Sequence, residues 1–136
     1  MKFNILIIPL LLFNAHVRGQ DTNQIDVRLK ACLDSSQNYT TVGMNHCIYC
    51  AEMAWDAEMN RYYKLLQEVL STQAKIQLKT SQINWLSFRD SEFKTINIIY
   101  DLQGTMWSNV RADARMELIK QRALVLKEYY DTLTEH

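Results

Sequence analysis

Residues 41–72 decide the fold, and they read TVGMNHCIYCAEMAWDAEMNRYYKLLQEVLST. Apolar side chains recur along this stretch at steps of three and four residues: Met44, Ile48, Ala51, Trp55, Tyr62, Leu66 and Val69. This spacing predicts one long helix with a single buried face. The helix is expected to begin near Thr41 and to end near Ser71.

Further helices are predicted on both sides of this stretch. A third helix is expected to run to Gly104, a residue type that accepts the backbone conformation found after helix ends. Its apolar face is predicted to contain Leu78, Gln82, Trp85, Arg89, Phe93, Ile96 and Tyr100. A last helix is expected from Ser108, with one face formed by Val110, Ala114, Leu118, Val125, Tyr129 and Leu133. A first, shorter helix is predicted at about residues 22–33.

The second and third helices have almost no connection between them, which predicts antiparallel neighbours. If the turn centres between Thr72 and Gln73, six residues face each other in pairs across the hairpin seam: Asp56 with Arg89, Asn60 with Trp85, and Tyr63 with Gln82. The first pair predicts a charge-assisted bridge. We expect these side chains to hold the hairpin in register.

Turn-forming residues are scarce, with three glycines and one proline in 136 residues. Sandwiches, barrels and dinucleotide-binding folds need many tight turns, and phosphate-binding loops need clustered glycines. The composition therefore predicts one all-α domain, a small helical bundle built on a long helix hairpin.

The N-terminus is typical of a signal peptide over residues 1–19. Lys2 precedes an apolar run that is too short to span a bilayer, and cleavage is expected before Gln20. Removal of this segment takes Lys2 and Arg18 from the 15 basic residues and leaves 13 against 15 acidic ones, a net charge of −2. We therefore expect a periplasmic or secreted domain over residues 20–136, with no membrane anchor after cleavage and no nucleic-acid partner.

The three cysteines predict a disulfide in such a compartment. A Cys32–Cys47 bond is favoured and would contribute about 3 kcal/mol by closing its loop. Cys32–Cys50 is the alternative pairing. Cys47 and Cys50 also form a C-x-x-C, so a thiol redox role or a metal site with His46 stays open.

Motifs for catalysis are not found in the sequence. It contains no G-x-S-x-G and no H-E-x-x-H, and its carboxylate pairs are those that any helix surface produces. We expect no enzyme activity, no cofactor and no metal.

Several segments resemble the N-terminal domain of the lysozyme inhibitor LprI family. The specific part is Asp56-x-Glu58-Met59-Asn60-x-x-Tyr63 followed by Gln82-x-x-Trp85-x-x-Phe88-Arg89-Asp90, with Thr41, Met44 and Cys47 before it and Gly104-Thr105-Met106 and Arg122-Ala123-x-x-x-Leu126 after it. The resemblance implies a small, exported, all-α protein with disulfides. Family members usually have two further cysteines, and Phe93 and about Ala114 stand there in this sequence.

The resemblance also implies a protein partner, lysozyme or another cell-wall hydrolase, bound without covalent chemistry. An immunity or adaptor protein with a different partner is the alternative, and a C-x-x-C redox protein is a weaker one. Met106 and Trp107 are the candidate partner contacts, because large apolar residues near a loop have less helical reason to be buried.

Overall fold

Residues 23–135 are described by a computed structural model of the protein. They form α1 (Asn23–Leu33), a short 3-10 turn (Ser36–Asn38), α2 (Thr41–Val69), α3 (Thr72–Ile99) and α4 (Met106–Thr134). The all-α prediction is confirmed, and no strand occurs within this range. The predicted signal peptide lies outside the described residues.

A hydroxyl cap begins each helix of the hairpin. Thr40 Oγ1 accepts a hydrogen bond of 3.0 Å from Gly43 N at the start of α2, and Ser71 Oγ accepts one of 3.3 Å from Ala74 N at the start of α3. Each cap satisfies a backbone donor that a helix start leaves free. Because only Leu70 and Ser71 separate α2 from α3, the two helices run antiparallel, as predicted.

The corner between α3 and α4 differs from the prediction. α3 ends at Ile99 rather than at Gly104, and α4 begins at Met106 rather than at Ser108. Gly104 lies within the corner with φ of 110°, a left-handed value that strains other residue types. The glycine was correctly placed at the corner, but the helix before it is shorter than expected.

The closest helix pair is α2 with α4, which run parallel. Asn45 bonds Asn109 near the start of both helices, and Tyr62 lies 6.0 Å from Tyr130 farther along them. The backbones of α2 and α3 lie farther apart, and long side chains fill the space between them. The core therefore lies mainly between α2 and α4, with contributions from α1 and α3.

The buried face of α2 contains five residues of its predicted stripe (Ile48, Ala51, Trp55, Tyr62 and Leu66), whereas Val69 at the helix end is exposed. The buried face of α4 differs from its prediction. The buried residues of α4 are Met116, Ile119, Ala123 and Leu126. The predicted stripe contains Tyr129 and Leu133, which are exposed. Since α4 contacts α1, α2 and α3, apolar residues occur around much of its circumference, and several stripes fit its sequence.

α1 is attached to α2 by the Cys32–Cys47 disulfide, which confirms the favoured pairing. The connection between these helices is tight, because a Cβ atom at Gly43 would lie 2.6 Å from the Cα atom of Asn38. An ion pair of 2.8 Å between Asp26 and Lys120 joins α1 to α4. None of the helices in residues 23–135 combines the length and the apolar character needed to cross a bilayer.

Replacement of Cys32 by alanine is expected to lower the free energy of unfolding by about 3 kcal/mol, because the disulfide closes a loop with a sequence separation of 15. Urea denaturation measures the change. Cys50→Ala is the matched control and is expected to change stability by less than about 0.5 kcal/mol, since this thiol is free and exposed. Equal stability of the two variants would contradict the presence of the Cys32–Cys47 disulfide.

Candidate functional site

Half of the predicted seam residues face the core. Gln82 is 8% exposed, and its Nε2 lies 3.6 Å from the sulfur of Met59 on α2. Tyr63 and Trp85 pack against the buried cluster. Gln82 therefore lies between α3 and α2, and Tyr63 and Trp85 lie against the core.

The other seam residues bond within their own helices. Asn60 Nδ2 donates to the carboxylate of Asp56 at 3.0 Å, and Arg89 Nη2 donates to Asp90 at 2.7 Å. Neither the Asp56–Arg89 pair nor an Asn60–Trp85 bond is formed in the described part of the chain. The prediction of these contacts is wrong because it assumed closely packed backbones, whereas α2 and α3 stand apart and local partners are nearer.

A different polar contact joins α3 to its neighbour. Arg122 on α4 donates from Nε to Gln82 Oε1 at 3.0 Å and from Nη2 to Ser81 Oγ at 3.2 Å. Its guanidinium also lies 6.0 Å from the ring centroid of Trp85. Burial lowers the pKa of Arg122, since these partners are neutral and none compensates the desolvation of the cation.

Arg122 is not among the residues predicted for the seam. The sequence feature that points to it is a cation without a predicted partner, Arg122, next to Ala123, which is completely buried. Arg122 is itself partly buried, and a cation withdrawn from water requires polar partners. The partners are on α3. The predicted hairpin pairs α3 with α2 only, so it does not predict a contact between α3 and α4.

The two candidate contact residues at the α3–α4 corner have different environments. Met106 is 61% exposed. Trp107 is partly buried and stacks on Tyr100, with ring centroids 6.0 Å apart and planes 15° from parallel. Arg111 Nη1 donates to the carbonyl oxygen of Tyr100 at 2.6 Å. Trp107 therefore braces the corner, and Met106 is available for contact.

Further apolar side chains are exposed at this corner. We define the corner surface by Ile98, Ile99, Leu102 and Met106, all of which are exposed. Exposed Tyr39 and Val42 lie at the same end of the bundle, since Asn109 of α4 donates to the carbonyl oxygen of Thr41 at 3.0 Å. Only Met106 of this set is predicted from the sequence, because the spacing of residues near a helix end does not show whether they are exposed.

At the other end of the bundle an apolar groove with a volume of about 300 Å³ opens between α2, α3 and α4. Its walls include Leu66, Leu70, Leu78, Tyr129 and Leu133. Nothing in the described residues identifies an occupant for it.

The third cysteine, Cys50, is free and exposed, and its sulfur lies 3.7 Å from Nε2 of His46. Because Cys47 is bonded to Cys32, the C-x-x-C is not closed, and the alternative Cys32–Cys50 pairing is not the one formed. A redox role for the C-x-x-C therefore gains no support. Within residues 23–135, no group of three or more His, Cys, Asp or Glu side chains is placed to hold a metal ion.

Comparison with known families decides the classification. The family profile described as "Lysozyme inhibitor LprI" matches residues 32–126, which extend from the disulfide into α4. The chain belongs to the LprI family. The match contains the corner and both partners of the Gln82–Arg122 contact.

A solved structure of an uncharacterized protein from Burkholderia thailandensis is similar to this LprI-family chain. The TM-score is 0.76 at 29% sequence identity, and the match covers 82% of this chain and 55% of the other. The chain thus spans about half the length of that protein. A search of curated proteins found no match to the present chain.

Double-mutant cycles test the two polar contacts against each other. Gln82→Ala and Arg122→Ala are expected to couple by about 1–2 kcal/mol in the free energy of unfolding, because a hydrogen bond to a charged group is involved and partial exposure weakens it. The control cycle, Asp56→Ala with Arg89→Ala, is expected to couple by less than about 0.3 kcal/mol. Stronger coupling in the control cycle would overturn this account of the seam.

Proposed function

We propose that this protein is exported and inhibits a lysozyme-type cell-wall hydrolase by non-covalent binding through the corner surface. Membership of the LprI family carries the proposal. A disulfide between Cys32 and Cys47 is in keeping with an oxidising compartment outside the cytoplasm. The proposal requires no catalytic group in this chain.

The corner suits a binding role because its shape is set before a partner arrives. The Tyr100–Trp107 stack closes its base, and the Arg111 bond holds the carbonyl oxygen of Tyr100. Gly104 makes the backbone turn between them. A surface that is already ordered loses little conformational entropy on binding, which leaves more of the contact energy as affinity.

The side chains that the corner exposes are also appropriate. Leu102 and Met106 offer exposed apolar area that a partner can bury, and Asp101 beside them is exposed. An acidic residue next to apolar anchors favours approach to a basic hydrolase surface. Tyr39 and Val42 at the same end would extend the contact toward the roughly 800 Å² per partner of a standard interface.

The inhibition assay uses protein expressed from the complete sequence in a secreting host and purified from the exported fraction. Addition of this protein is expected to slow the clearing of a cell-wall suspension by lysozyme in a dose-dependent way. The double variant Leu102→Ala/Met106→Ala is expected to need at least about tenfold more protein for the same effect, which corresponds to about 1.4 kcal/mol.

A second variant provides the matched control. Ile76 and Ile83 are exposed on α3 outside the corner surface, so Ile76→Ala/Ile83→Ala removes similar apolar area and is expected to inhibit like the native protein. Absence of inhibition by the native protein at saturating concentration would sink the lysozyme assignment. Equal loss in both double variants would sink the assignment to the corner.

A further inference from the structure

The solvent-facing side of α2 carries a group of residues that the proposed function does not use. His46, Tyr49, Cys50 and Met53 are all exposed, and they follow one another at helical steps. Cys47, the other cysteine of this segment, points into the protein and is bonded to Cys32. His46 and Cys50 are therefore one turn apart on a free helix face.

The separation of their ligating atoms fits a metal ion. Cys50 Sγ lies 3.7 Å from His46 Nε2. In a tetrahedral zinc site, bonds of about 2.3 Å to sulfur and about 2.05 Å to nitrogen place two such ligand atoms about 3.6 Å apart. The pair therefore holds the spacing of one edge of a zinc tetrahedron without movement of the backbone.

Residues 23–135 of one chain do not complete the site by themselves. Closed zinc sites use four protein ligands, and the described residues contain no group of three or more candidate ligands. Two ligands on an exposed helix leave two coordination positions open. A surface that supplies half of a tetrahedral set can be completed by the same surface of another molecule across a twofold axis.

We propose that His46 and Cys50 form half of a zinc site that is completed by the same pair from a second copy of this chain. The resulting set has two imidazole nitrogens and two sulfurs. Each Cys50 thiol releases its proton to solvent on binding, so two thiolates balance the charge of Zn²⁺. No oxidant or reductant takes part.

The surroundings of the pair suit contact between two copies. Tyr49 and Met53 flank the ligands and are 58% and 52% exposed. When the two copies of α2 approach, the apolar surface of these side chains would be buried between them. Arg28 is the nearby cation, sharing a cavity wall with Cys50, and its Nε donates to the carbonyl oxygen of Gln24 at 3.2 Å. That bond directs the guanidinium back along α1.

The test adds zinc chloride to the exported protein with its disulfide intact. Light scattering is expected to show a dimer with zinc, and calorimetry one zinc ion for two chains. A chelator is expected to return the protein to monomer. Cys50→Ser and His46→Ala are each expected to weaken zinc binding more than about 100-fold, because loss of a ligand costs more than loss of its supporting contacts.

Two further variants separate coordination from other causes. Cys50→His replaces the thiol by another metal ligand and is expected to keep the zinc-dependent dimer. Because this variant has no thiol at position 50, its dimer cannot be a disulfide between the two copies at that position. Met53→Ala keeps both ligands and is expected to retain the stoichiometry. The proposal is overturned by zinc binding to monomers, by a dimer that resists the chelator, or by loss of the dimer in Cys50→His.

Discussion

The close packing of α2 on α4 is the contact on which the rest of the structure depends. The largest fully buried side chains include Trp55, Met59 and Leu66 of α2 and Leu126 of α4. Ala123 of α4 has no exposed surface, and a side chain this small lets the helix backbones approach closely. Burial of the side chains between α2 and α4 is the main favourable contribution to folding, since each large apolar side chain contributes about 1.5–3 kcal/mol. The helices α1 and α3 pack against this pair.

The position of α3 follows from that pairing. Because α4 occupies the closest place beside α2, α3 is held by side chains that include Leu78 in the core and Gln82, which bonds Arg122 of α4. α3 consequently buries little beyond Leu78 and Gln82 and leaves other apolar residues exposed. The same arrangement places the α3–α4 corner beside the start of α2. One end of the bundle thereby gathers exposed apolar groups around an ordered turn.

The two surfaces proposed for binding have different physical origins. The corner surface exists because the chain must turn between α3 and α4, and Tyr100 and Trp107 stiffen that turn. The zinc pair exists because the disulfide directs Cys47 inward and leaves Cys50 on the outer face with His46. Occupation of one surface does not require the other, so the proposed hydrolase binding and the proposed pairing of two copies are independent of each other.

The sequence by itself determined the elements of the fold in residues 23–135: four helices, the antiparallel hairpin and the position of the corner glycine. It favoured the Cys32–Cys47 bond over Cys32–Cys50, and the structure contains the favoured one. These follow from local periodicity, a two-residue connection and a short cysteine loop, all of which operate between near neighbours in the chain. Only the tertiary structure decided which helices pack closely, so the predicted α4 face and the Asp56–Arg89 bridge were wrong and the Arg122 contact was missed. The physical reason is that α4 is apolar around much of its circumference, so the choice of its buried face depends on three helices packing at once. Exposure of the corner residues and of the His46–Cys50 pair depends on the same packing.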